Sequence, residues 1–392
     1  MLARGDASLK TSIPNHQFIA MVALISLGAF IPVCSTSQSL EHFVPFLYII
    51  VAIAGVFMTL FYGFLGGLFA GKNIVEINKQ AFGKIFGTVL NFLLFCYMLF
   101  IAVYYFLSMV YYWAMLDMPN SPVLLYASLV SLLCYFAGSL GIKVITKSSM
   151  IILLNFFIAL IGYCVLLVPK WQIKRILPVF EFDSSVAMNS FALFFSLIFV
   201  MMYFAFTFAD KVDFTEKKNK YSFLTAGIIA SLIFIIRGFS DVMILGEAIK
   251  LYLYPSMQTL RQIEISGTFA RVELFGVLGI ISLALMFLII IYYAISQIGS
   301  SVFKLKGHKT ILSIALLISV AVVCGIYEVN ILDIQSFFGK AIVGCSAFWL
   351  VIMLLTVIRG LSIKKRTLLI KAEAGNTGQH VESLTCKQTV SD

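Results

Sequence analysis

Within an otherwise apolar stretch of this 392-residue chain, Arg237 and Asp241 stand four residues apart. On a helix that spacing puts both side chains on one face, where a guanidinium and a carboxylate can neutralise each other. Charge in hydrocarbon is costly unless paired or wetted, so two readings stay open: a structural ion pair, and a polar gate or proton route. Arg271 and Glu273 are two apart at the start of another apolar run. They point in different directions, and each needs a partner from elsewhere. Nearer the amino terminus, Ser26-Leu27-Gly28-Ala29-Phe30-Ile31-Pro32 sets a glycine and a proline in one apolar segment. A helix broken there would free backbone amides and carbonyls to hold the charged ends of a small zwitterion; alternatively Gly28 is a close-packing position and Pro32 a mild kink.

Other chemistries find no support. The four histidines, His16, His42, His308 and His380, lie near the ends of apolar runs or in the tail, and none stands at a spacing that predicts a nucleophile–base pair. Glycine-rich dinucleotide, phosphate-loop and zinc-protease motifs are missing. The seven cysteines are scattered, without a CxxC pair or a His/Cys cluster at metal spacing, and read as small packing residues. The chain is therefore expected to be no enzyme and to need neither metal nor cofactor. Its net charge of +10 could suggest nucleic acid, but the cations lie in short loops and the tail, which is a membrane-topology signal.

The elements that must position these residues are set by composition. With 61% hydrophobic and 12% charged residues, there is too little polar surface to cover a water-facing globule. Long unbroken apolar runs in lipid read as helices, because each backbone amide must be satisfied within its own segment. Runs of spanning length fall at about Gln17–Cys34, Phe43–Ala70, Phe86–Leu116, Val123–Leu140 and Met150–Val168. After a more polar stretch come Met188–Phe208, Tyr221–Leu245, Val272–Ile295, Ile311–Ile326 and Phe337–Ile358. The first run lacks a cleavage site and reads as a retained span. Alternate loops carry most of the cations, among them Lys72, Lys79, Lys84, Lys143, Lys147, Lys217, Lys218, Lys304 and Lys306. Opposite loops hold only Lys170, Lys174, Arg175, Lys250, Arg261 and Arg271. Both termini are thus expected in the cytoplasm.

The expected fold is an all-α integral membrane bundle of about ten spans, two groups of five arranged as an inverted repeat in which each half opens with a broken helix. Residues 1–16 form a cytoplasmic amino terminus, 17–365 the membrane domain, and 366–392 a cytoplasmic tail whose polarity predicts disorder. Lys72–Lys84 suits a short amphipathic helix at the cytoplasmic interface, and Glu247–Arg271 is a candidate outer lid or docking surface. In the sixth run, Phe199-Val200-Met201-Met202-Tyr203-Phe204 holds neither Gly nor Pro, so residue type alone gives no sign of a break there.

Several stretches, in order and at matching separations, resemble a known family. Tyr254-Pro255-Ser256 through Ala270-Arg271-Val272-Glu273-Leu274-Phe275 looks like a proline turn, an amphipathic piece and an Arg-x-Glu entry to the eighth helix. Ile74-Val75-Glu76-Ile77-Asn78-Lys79 with Phe82-Gly83-Lys84, Leu177-Pro178-Val179, and Lys217-Lys218-Asn219-Lys220-Tyr221 add to it. From Gln17 to about Lys365 the chain resembles the B subunit of bacterial spore germinant receptors, the spore germination permeases, which are similar to amino-acid and polyamine permeases.

The resemblance implies a membrane subunit that recognises a nutrient germinant, often an amino acid, beside A and C subunits in the spore inner membrane. It further implies coupling to ion release or passage. In such permeases the middles of the first, third, sixth and eighth spans line the pocket, which here implies Gly28, Ile101, Tyr105, Phe199, Met202, Phe287 and Ile291. Where relatives often carry a glycine and an acid in the sixth helix, this chain has Val200 and Met202, so the expected ligand carries an apolar side chain. A stand-alone amino acid or cation transporter and a scaffold that has lost its pocket are the alternatives, since sensor and transporter would share one fold.

Overall fold

The computed structural model describes residues 13–28, 38–116, 122–177, 183–214, 216–252, 254–263, 273–305, 307–327 and 329–388. Pro32, Arg271 and the Pro178-Val179 dipeptide lie outside the described residues, as does the side chain of Glu273. The described residues form helices and connecting turns. We label them α1 (Asn15–Gly28), α2 (Val44–Leu68), α3 (Ile74–Phe82), α4 (Lys84–Leu116), α5 (Val123–Ser139), α6 (Ile142–Leu167), α7 (Ser184–Ile198), α8 (Ser222–Leu245), α9 (Pro255–Arg261), α10 (Glu273–Phe303), α11 (His308–Ile326) and α12 (Ile331–Gln388). A 3₁₀ helix, Val200–Lys211, continues α7.

Eight of these helical segments are long and apolar enough to cross a membrane, and the shorter apolar helices Asn15–Gly28 and Val123–Ser139 bring the total to the ten expected. The spans are α1, α2, α4, α5 and α6 in one half, then α7 with its 3₁₀ continuation, α8, α10, α11 and α12 in the other. Their packing repeats with an offset of five. Spans two and seven, three and eight, and four and nine pack directly on one another (α2 on α8, α4 on α10, α5 on α11). Contacts of α1 with α8 and α6 are mirrored by those of α7 with α2 and α12. Likewise α10 packs on α11, α5 and α6, as α4 packs on α5, α11 and α12. Such reciprocity is what two superimposable halves related by a pseudo-twofold axis produce.

Burial separates centre from rim. The sixth span is 83% buried and the eighth 78%, against 22% for the fifth, which turns Ile151, Ile158, Ile161 and Val165 outward. α1 is buried on nearly every side from Phe18 to Gly28, so it threads the middle of the bundle. A helix apolar all round belongs in such a position.

The segment expected as an amphipathic helix at the cytoplasmic interface is α3. Asn73 accepts from Glu76 N at 3.0 Å while Glu76 Oε2 accepts from Asn73 N at 3.3 Å, a reciprocal capping box. The apolar face, Ile74, Val75 and Ile77, is buried, and the helix packs on α4 and α12. Two buried asparagines fasten the α3–α4 hairpin: Asn78 Nδ2 donates to Asn91 Oδ1 at 2.8 Å, and Asn91 Nδ2 to Val75 O at 3.1 Å. A Cβ on Gly87 would stand 2.6 Å from Lys79 Cα, so only glycine allows this approach.

On the opposite face, the segment expected as a lid forms a 3₁₀ turn, Gly246–Leu251, and then α9. The turn packs on the 3₁₀ helix Gln38–Phe43, while α9 packs on α8 and α10 with Met257 and Leu260 buried. Arg175 ties the layer together, donating to Ile244 O while its own carbonyl meets His42 Nδ1 at 2.6 Å. At the other end of the chain, α12 is described as helical through Gln388, past Ile358 and through the stretch expected to be disordered. Alanine, leucine, glutamate, lysine and glutamine supply enough helix propensity there to offset its polarity.

Candidate functional site

The sixth span changes its winding at mid-length. α7 starts on Asp183, whose side chain accepts from the backbone N–H of Ser185 and Val186, and those bonds together with the Ser185 hydroxyl hold this exposed carboxyl below its usual range. The α-helix stops at Ile198, and from Val200 the chain runs as 3₁₀ for twelve residues. At such a junction carbonyls lose their regular partners and must find others when buried. Three successive ones meet hydroxyls of the first half, Phe199 O in addition to Met202 N at 3.2 Å. Ser26 Oγ donates to Ile198 O at 2.8 Å, and Tyr62 OH reaches Phe199 O at 3.1 Å and Val200 O at 3.4 Å. Both hydroxyl-bearing residues are fully buried.

Gly28 closes the described part of α1, two residues beyond Ser26. A Cβ there would overlap Cβ and Cγ of Phe287 on α10, so the glycine permits the first and eighth spans to touch. The Phe287 ring in turn meets Tyr105 of α4, with centroids 4.5 Å apart. Gly28, Tyr105 and Phe287 thus lie together in the core. Phe199 takes a different place: its ring fills the space left by Gly55 on α2 and passes close to Gly227 on α8. Ile101, Met202 and Ile291 are completely buried in the same core.

Beside Gly28 lies a small cavity between spans one, five, seven and eight, bordered by Leu27, Phe156, Arg237 and Ala284. The space open to the centre of a water molecule there is ≈ 20 Å³, room for a water or two. A second hollow shares Phe156, Arg237 and Ile280 with the first and extends toward Tyr163, Leu260 and Gly276. Arg237 borders both. Asp241, one turn farther along α8, accepts from Ser256 Oγ at the start of α9 at 2.5 Å, and Arg237 stands in the cavity wall.

Ser26, Tyr62, Gly55 and Gly227 carry the geometry of the break, yet the sequence reading gave none of them a role. Ser26 lies in the quoted glycine–proline segment, which is the one signal that could have found it; a tyrosine in an aromatic-rich span carries none. Among the described residues no group of three or more His, Cys, Asp or Glu could hold a metal ion. The small cavity is walled by apolar side chains and one guanidinium, while the carbonyls and the two hydroxyls of the junction are hydrogen-bonded to each other beside it, outside its lining.

Comparison with known proteins fits this geometry. The structure of MhsT in complex with L-phenylalanine shares the fold, with a TM-score of 0.55 at 17% identity, over 84% of this chain and 85% of that one. No curated protein sequence matches. The family model described as spore germination protein matches residues 12–330, from before the first span to just short of the tenth. With that match over most of its length, this permease-like, multi-pass helical protein belongs to the spore germination protein family.

Proposed function

We propose that this chain is the membrane subunit of a spore nutrient germinant receptor, in which a small germinant, an amino acid with an apolar side chain, binds at the junction of the first and sixth spans. One observation carries the reading: three adjacent carbonyls at the winding change are held by Ser26 and Tyr62, side chains that a ligand's ammonium group could replace. An ammonium has three donors and no acceptor, which suits a row of carbonyls. Gly28, Tyr105, Met202 and Phe287 supply apolar walls for the rest of the ligand. The fold shared with MhsT, solved with L-phenylalanine, is compatible with a ligand of that class. In this proposal A and C subunits complete the receptor in the spore inner membrane, and occupancy of the junction leads to ion release. Arg237, Asp241, Arg271 and Glu273 are its candidate coupling charges.

The test is deletion of the gene in a spore former, with amino-acid-triggered germination and uptake of the labelled amino acid followed in parallel. Loss of germination with unaltered uptake supports the receptor. Normal germination with lost uptake replaces it by a stand-alone transporter. A Gly28→Val chain should reach the membrane in normal amount and leave spores unresponsive, because the branched side chain collides with Phe287.

A further inference from the structure

A cavity far roomier than the one beside Gly28 opens elsewhere in the bundle. It lies between α7 and α12, has ≈ 320 Å³ open to water-sized centres, and is bordered by Asn189 and Ser190 from α7 and by Gln335, Ser336 and Lys340 from α12. Leu193 and Val343 close its deeper side. Among the described residues no acid lines it. The polar groups are two carboxamides, two hydroxyls and an ammonium, a set rich in donors. Gln335 is 95% buried, since only 5% of its surface is exposed, and its Nε2 has no hydrogen-bond partner. A buried amide donor without an acceptor is a cost that a ligand oxygen would remove.

Position narrows the class of ligand. Lys340 lies about 13 Å along α12 from its start at Ile331, within a span. Helical side chains lean toward the amino-terminal end, so Lys340 reaches back past Ser336 toward the end of α12 that the loop charges put outside. Met188 at 68%, Phe337 at 64% and Leu332 at 51% exposure, on the same two helices, turn apolar surface outward from the bundle, as lipid-facing side chains do. The mouth is therefore open to lipid. A molecule with an anionic head and apolar body, already present in the membrane, matches each of these features.

We infer that this cavity binds an anionic phospholipid of the outer leaflet, its phosphate on the Lys340 ammonium and the Gln335 amide and one acyl chain along Leu193, Val343 and Phe337. Because α7 is the outer half of the wound-and-rewound sixth span, such a lipid braces the element on which the central junction depends. The site is separate from that junction and stands whether or not the receptor proposal does.

The full chain, purified in detergent and stripped of loosely held lipid, is examined by native mass spectrometry and by thermal unfolding in nanodiscs of phosphatidylglycerol or phosphatidylcholine. Wild type is expected to retain phosphatidylglycerol and to melt higher in that lipid. Lys340→Gln should weaken retention by about fivefold, the scale of one lysine charge near a lipid surface, while melting normally in phosphatidylcholine. Gln335→Leu should weaken it too, and its apolar side chain leaves no buried donor behind. Equal retention by wild type and Lys340→Gln would overturn the inference, as would equal stabilisation by inorganic phosphate, which marks a soluble-anion site. In intact spore membranes, a photoreactive residue at position 336 should capture lipid; capture of another protein chain instead assigns the cavity to a partner helix and sinks the lipid reading.

Discussion

Ser26 and Tyr62 give the central junction its most direct residue-scale test. Ser26→Ala leaves Ile198 O without its hydroxyl and should lower stability by about 1–3 kcal/mol, the penalty for an orphaned buried polar group. Tyr62→Phe takes a hydroxyl from Val200 O and from Phe199 O, which keeps Met202 N at 3.2 Å, and should cost less, about 0.5–1.5 kcal/mol, both read as a drop in melting temperature in detergent. Under the proposed function the same variants should shift the germinant dose response, since they alter what the ligand has to displace. A fall in melting temperature without such a shift would reduce both residues to structural ties. Asp183 offers a pH-dependent counterpart at the start of the same span. Its carboxyl is held low by Ser185 and Val186, so the cap's contribution is complete above the unfolded carboxylate value of about 3.9 and is lost as pH falls through the lower folded value. Asp183→Asn caps without titrating. Wild type should therefore lose melting temperature relative to this variant only in that acidic window.

At the scale of elements, the α3–α4 hairpin depends on its two buried asparagines. Asn91→Leu leaves Asn78 Nδ2 unpaired, removes the side-chain donor to Val75 O and should destabilise by about 1–3 kcal/mol. Adding Asn78→Leu should recover part of the loss, because one buried donor then disappears with its acceptor; thermal unfolding of the two variants decides it. Helix positions were legible in the sequence because a membrane leaves a helix few alternatives, and apolar length alone locates it. Boundaries were less so: α6 begins at Ile142, eight residues before the apolar run that announces it, and α12 continues through a polar tail. The sixth-span break escaped notice for a physical reason. Val200 to Phe204 carry no residue that forces a break; what holds the altered winding is remote, namely the hydroxyls of Ser26 and Tyr62 and the spaces left by Gly55 and Gly227 into which Phe199 fits. In the first span Gly28 was legible as a position where a missing Cβ matters, since it makes room for Phe287; the residues from Ala29 to Pro32 lie outside the described ones.

For the molecule as a whole, composition fixed the solvent and loop charge the expected orientation, while the reciprocal packing of the two halves required coordinates. That orientation is open to a direct check. Single cysteines at Lys143 and Lys304 should be labelled by a membrane-impermeant thiol reagent only after the vesicles are opened, whereas cysteines at Lys174 and Lys250 should react in intact right-side-out vesicles. The opposite pattern would invert the topology and move the Lys340 cavity to the inner leaflet. The 3₁₀ segment of the sixth span carries one more implication. Its twelve residues rise by about 2.0 Å each, against about 1.5 Å in an α-helix, so rewinding the whole stretch would shorten it by roughly 6 Å. That is the stroke of a drawn spring, latched at one end by two hydroxyls and anchored at the other where Ile13 N grips the carbonyl of Lys211; under the proposed function, unlatching would convert the arrival of a small molecule into travel at the Lys211 end.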